Sequence, residues 1–200
     1  MSYAIVGFGK IGQALAHAFA RKNIDVTVAS RRPPEALATE ARAIGPTVVA
    51  KSLRDALEAD TIILAVPFGV HREVAKALPS WKGKTVIDAM NSFPVPPEEL
   101  DGLPSSVFVA KAFTGAKFVK GFNHLIAATL ATDPVVEGWH RVVFLSSDDE
   151  DAIVPVAALA KKLGFAPVEL GKFNEGGALV HARGQTWGPL IFQDLFKQEQ

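Results

Sequence analysis

Short apolar runs alternate with amphipathic stretches along the whole 200-residue chain. Tyr3–Val6 is a first buried-strand run, cut off at once by Gly7. From Lys10 to Arg21, Ile11, Leu15, Ala18 and Phe19 recur at helical spacing. Asp25–Ala29, sequence DVTVA, is rich in β-branched residues and reads as the second strand. Pro33 and Pro34 suit a helix start, and the Ala-rich stretch carries that helix to Ala43. Gly45 and Pro46 end it before a third strand at Thr47–Ala50. Ser52 reads as the N-cap of a short helix over Leu53–Glu58. Thr61–Val66 is the most apolar run, which predicts a central strand, and Pro67 stops it.

The second half continues the alternation. The pattern predicts a helix over Val70–Leu78, a strand over Lys84–Ala89 and a Pro-rich surface loop at 94–97. Ser105 and Ser106 read as caps of a helix through Phe113. Strands follow at Lys117–Lys120 and His140–Leu145. Asp148–Asp151 places acids at a helix N-terminus, where the macrodipole favours them. That helix ends at Gly164, and Ala166–Glu169 is the last strand. Buried strands alternating with helices predict an α/β fold: a doubly wound, mostly parallel sheet of Rossmann type with a short C-terminal extension. The whole chain, 1–200, reads as one domain, with a dinucleotide-binding core to about 145.

Composition removes several classes of function. Lys plus Arg and Asp plus Glu each number 21, so there is no basic excess for nucleic acid or an anionic membrane. Cysteine is absent, which excludes disulfides and thiolate chemistry. The five histidines lack metal-ligand spacing, so no metal is expected. The N-terminus has no signal-peptide pattern, and no apolar run approaches a membrane span, so the expected location is cytoplasmic. The aromatic C-terminal segment suggests a homodimer.

Residues 4–12 read AIVGFGKIG, and Gly7, Gly9 and Gly12 make G-x-G-x-x-G between a strand and a helix. Gly7 permits the tight turn, Gly9 lets the backbone approach a pyrophosphate, and Gly12 lets helix and strand pack closely. The flanking Phe8 and the N–H groups of Lys10 and Ile11 complete this loop. An NAD site places a carboxylate at the end of the second strand. Here Ser30, Arg31 and Arg32 stand there instead. A hydroxyl and two guanidiniums suit a 2′-phosphate, which points to NADP(H) as the cofactor. Which of the two arginines touches the phosphate is open.

With these motifs, AVPF at 65–68, DAMN at 88–91, KGFNH at 120–124 and the ending EGGALV and GPLIFQDL, the chain resembles the coenzyme F420-dependent NADP oxidoreductase family. That family is in turn similar to the cytosolic domain of membrane ferric reductases. The resemblance implies hydride transfer between NADP(H) and a flavin or deazaflavin. It implies that Ala65, Val66 and Pro67 pass beside the nicotinamide ribose. Asn91, Phe122 and Asn123 would border the nicotinamide and the second substrate. Where the family has Ala, this chain has Gly121, which suggests a looser pocket wall.

Hydride transfer between two flat rings needs no proton from a side chain. Reduction of an imine or a carbonyl does need a donor. Asn123, His124, Lys120 and His71 are the candidates for a catalytic role, with His71 expected on a solvated helix turn, His124 at a helix start bonded to backbone, and Lys120 structural. Phe173, Trp187, Phe192 and Phe196 read as core or dimer contacts, with an aromatic slot for a flat ring as the alternative, and Trp81 reads as packing. The alternatives are an NADPH-dependent imine or carbonyl reductase and a non-catalytic NADP(H)-sensing module.

Overall fold

The computed structural model describes residues 1–93 and 95–180. Trp187, Phe192, Phe196 and the GPLIFQDL segment lie outside the described residues, as does most of the aromatic tail behind the dimer expectation. In chain order the elements are β1 (Tyr3–Val6), α1 (Lys10–Arg21), β2 (Val26–Ala29), α2 (Pro34–Ile44), β3 (Val48–Ala50), α3 (Leu53–Ala56), β4 (Thr61–Leu64), α4 (His71–Lys76), β5 (Thr85–Asp88), α5 (Ser105–Ala112), β6 (Lys117–Gly121), α6 (Ala127–Ala131), β7 (Val135–Val136), β8 (Trp139–His140), β9 (Val142–Ser146), α7 (Glu150–Lys162) and β10 (Ala166–Glu169).

Eight strands form one sheet in the order β10-β9-β6-β5-β4-β1-β2-β3. The order reverses between β1 and β4, which opens a crevice beyond their carboxyl ends, where this architecture binds ligands. Both faces are covered, so alternate strand residues enter two apolar layers. Ile5, Ile63, Ile87 and Val119 meet α1, α2, α6 and α7. Ala4, Val6, Leu64 and Val86 meet α3, α4 and α5. This double burial explains why the strands read as unbroken apolar runs.

The sheet is mostly parallel, as expected: β9 pairs antiparallel with β6, and β10 follows β9, so only these two strands run against the other six. The structure departs from the sequence reading in three places. The expected strand from His140 is broken: Trp139–His140 belongs to a separate β7–β8 hairpin. Its two-residue turn holds Glu137 and Gly138 at φ 49° and 83°, the hand that suits a tight hairpin. Helix α6 shows no sequence signal because it is only five residues long. Finally, Ser105 and Ser106 lie inside α5 and are buried; Pro104 precedes the helix without a side-chain cap. Ser52, by contrast, does cap α3, its Oγ accepting from the Asp55 N–H at 3.1 Å.

Candidate functional site

The glycine loop sits where β1 ends. Gly7 has φ +104°, and a Cβ there would lie 2.3 Å from the Ala65 carbonyl oxygen. A Cβ on Gly12 would lie 1.9 Å from the Gly7 carbonyl oxygen. Both positions therefore need glycine for the fold itself. Gly9 differs: nothing lies within 4 Å of its Cβ position, and its backbone is extended. The protein gives no packing reason for glycine there, whereas close approach of a ligand does. Helix α1 starts at this residue with no side-chain cap and no acid in its first turn, so its leading N–H groups face outward for an anion. Phe8 contributes main chain only, since its ring is buried in the core.

At the end of β2 the two arginines have different surroundings. Arg31 is exposed and has no ionic or hydrogen-bond partner among the described residues. Arg32 makes a two-point ion pair with Glu40 of α2, at 2.9 and 3.2 Å. Its backbone N–H also donates to Ser30 Oγ at 3.0 Å.

A cavity of about 280 Å³ lies beyond β1, β4, β5 and β6. It gathers Ile11, Ala65, Val66, Asn91, Asn123 and His124 from four distant stretches of sequence. Ala89, Met90, Leu125 and Ile126 complete the wall. They carry only apolar side chains, and although Ala89 and Met90 lie inside the DAMN motif, none of the four was expected at the site. Pro67 is exposed and outside the lining. Phe122 also departs from expectation. It has φ +62°, and its ring is fully buried against Phe165 at 5.8 Å between centroids. That unfavourable backbone turns the ring inward and swings Asn123 and His124 to the cavity. Gly121 is not a pocket wall either: its Cβ position meets Leu145 at 2.7 Å and Ile87 in the core. Phe173 packs on Phe118 rather than lining a slot, and Trp81 is buried against Phe113 as expected.

Asn91 and Asn123 lock the cavity rim. Asn91 donates to the Asn123 carbonyl at 2.8 Å, and Asn123 Nδ2 donates to Asn91 Oδ1 at 3.1 Å. The same Nδ2 reaches the Val180 carbonyl at 3.1 Å, so the Gly-rich segment returns to the site. Behind this rim, Lys120 is buried and pairs with Asp88 at 3.1 Å while also donating to the Met90 carbonyl. Asp88 Oδ1 accepts the Met90 N–H at 2.9 Å. The pair thus holds the turn that carries Asn91.

His124 precedes α6 without starting it, but it is bonded to backbone: Nε2 lies 3.1 Å from the Val142 carbonyl. Nε2 therefore carries the proton and donates, which leaves Nδ1 as a buried acceptor with no partner among the described residues. Burial holds its pKa down at about 4, against the Val142 bond, which raises it. The side chain is neutral at pH 7. His71 is also buried, contrary to the solvated position expected of it. The turn at Phe68–Val70 folds it inward, where Nδ1 donates to the Phe68 carbonyl.

His124 makes the protein acid-sensitive in a defined window. The unfolded chain takes up this proton near 6.5 and the folded chain near 4. Between those values the unfolded state binds more protons, so stability falls as pH drops. The loss should reach roughly 3 kcal/mol by pH 4. Denaturant unfolding at pH 7 and pH 4.5 checks this. His124→Gln should flatten the slope, and an unchanged slope would assign it to other groups.

The model of the family "NADP oxidoreductase coenzyme F420-dependent" matches residues 2–92. A solved hypothetical protein from Sinorhizobium meliloti is 40% identical over 99% of this chain and 96% of that one, with a TM-score of 0.90. The chain belongs to the F420-dependent NADP oxidoreductase family. The family is one of NADP-dependent oxidoreductases. An Arthrobacter protein named as an F420-dependent NADP reductase shares the fold at 24% identity, covering 96% of this chain and 92% of that one, with a TM-score of 0.72. Mouse metalloreductase STEAP2 is 28% identical over 87% of this chain. The chain spans about a third of that curated relative's length, 34%. Among the described residues, no helix of this family member is long and apolar enough to cross a membrane.

Proposed function

We propose that the crevice binds NADP(H) and passes hydride between it and a flavin or deazaflavin. The pyrophosphate would rest on the main chain of Gly7–Gly12. Ser30, Arg31 and Arg32 would hold the 2′-phosphate, with Arg31 the readily available guanidinium. Ala65 and Val66 would flank the nicotinamide ribose, and Asn91 and Asn123 the nicotinamide. When bound, the cofactor supplies the hydride. The chain's own task is to seat two flat rings face to face and keep water away.

The observation that carries this reading is the proton inventory of the cavity. Among its described residues, none is poised to give up a proton at neutral pH. The His124 proton is committed to the Val142 carbonyl, Lys120 is bonded to Asp88 and Met90 behind the rim, and the remaining polar groups are amides. Imine or carbonyl reduction needs a proton donor beside the hydride, so the hydride-only reaction suits this site better.

Two measurements test it. NADPH should bind more tightly than NADH, and Arg31→Ala should weaken NADPH ten- to a hundredfold, the value of a lost charge-assisted phosphate contact of about 1.5–3 kcal/mol. NADPH consumption should then appear on adding FMN, FAD or a deazaflavin. Tight NADPH binding without turnover on any of these acceptors would favour the sensing module. Turnover with imines alone would favour the imine reductase.

A further inference from the structure

The end of β2 contains an anion of its own. Glu40 lies just past the middle of α2, and both its oxygens are engaged by Arg32, at 2.9 and 3.2 Å. Gln13 of α1 donates to the same carboxylate at 3.0 Å. Gln13 Nε2 also lies 3.3 Å from the carbonyl of Phe8, inside the glycine loop. One carboxylate therefore links the 2′-phosphate loop, the second helix and the pyrophosphate loop. The Arg32 bond holds the Glu40 carboxyl below the usual range, so it is charged at neutral pH.

A guanidinium fork and a carboxylate form the same planar two-point contact that a guanidinium forms with a phosphate. We propose that Glu40 is a resident counter-anion of the 2′-phosphate site, which holds Arg32 before the phosphate arrives and opposes the phosphate on binding. The inference rests on the assignment of Ser30, Arg31 and Arg32 to that phosphate. Exchange is feasible because the pair is exposed, with side chains 47% and 41% accessible, and exposed pairs are weak. The incoming group carries close to two negative charges against the single charge of Glu40. The phosphate therefore wins Arg32, but the carboxylate remains nearby as a repelling charge. Glu40 thus lowers the margin by which NADPH is preferred to NADH, which has no phosphate for it to oppose. It also gives bound NADP(H) an internal competitor that speeds release.

The test is a titration of wild type and Glu40→Gln with NADPH, NADH, 2′,5′-ADP and 5′-AMP, at low and at physiological salt. Glu40→Gln should tighten NADPH and 2′,5′-ADP about three- to tenfold at low salt, less at higher salt, because the repulsion is Coulombic and screened. NADH and 5′-AMP should be unchanged. Weaker NADPH binding would overturn the proposal, since Glu40 would then be orienting Arg32 for the phosphate. Equal tightening of NADH would also overturn it, by placing the effect on the glycine loop through Gln13. The underlying assignment fails in a separate way: wild type would bind 2′,5′-ADP no better than 5′-AMP, and Arg31→Ala would change nothing.

Discussion

Lys120→Met should cost about 3–5 kcal/mol of stability, the penalty for leaving a buried charge without its partner. Asp88 is fully buried, and Lys120 is its only cationic partner among the described residues. Burial pushes the Lys120 ammonium down from its ordinary range, and the adjacent carboxylate works against that. The pair persists because both ends are also tied to Met90, through its N–H and its carbonyl. Denaturant unfolding checks the magnitude. The double variant Asp88→Asn with Lys120→Met should lose clearly less than the two single losses combined, because neither charge is then left alone. A single-variant loss below about 1 kcal/mol would mean that water reaches the pair. Because Met90 and Asn91 line the cavity, Lys120→Met should also loosen the cavity rim proposed to hold the nicotinamide.

The second large effect separates two glycines of one motif. Gly12→Ala would push a methyl against the Gly7 carbonyl, a backbone atom that cannot yield. Helix α1 must then lift from β1, and a loss of about 2–4 kcal/mol should follow, with cofactor binding lost as well. Gly9→Ala meets open space and an extended backbone, so melting should be unchanged. NADPH affinity should still fall by tenfold or more, because the new methyl occupies the approach to the pyrophosphate. Thermal melts and NADPH titrations on both variants decide the matter. Gly9→Ala with normal affinity would show that the pyrophosphate lies elsewhere.

The site was only partly legible in the sequence. Ile11, Ala65, Val66, Asn91, Asn123 and His124 do meet at one cavity. They could be named because each follows a strand whose apolar run is evident, and parallel strands bring their carboxyl ends to one edge. Phe122 was legible as part of a motif but not as a core residue, since its inward turn depends on φ +62° and on Phe165. Ala89, Met90, Leu125 and Ile126 had no chemical signature to read. His71 looked solvated because the tight turn at Phe68–Val70 that buries it is not visible as periodicity.

What the sequence determined by itself is local: the strand and helix periods, the spacing of Gly7, Gly9 and Gly12, and the change from carboxylate to Ser30, Arg31 and Arg32 after β2. These follow from contacts within a turn or a strand, so a short window contains their cause. The tertiary structure decided the rest. It set the antiparallel run of β9, the Asn91–Asn123 lock across 32 residues, the return of Val180 across 57, and the capture of Arg32 by Glu40. Each joins groups whose separation in sequence carries no period or motif. The bonds of Asn123 exist because a buried polar group must find whatever partner the packed chain brings to it.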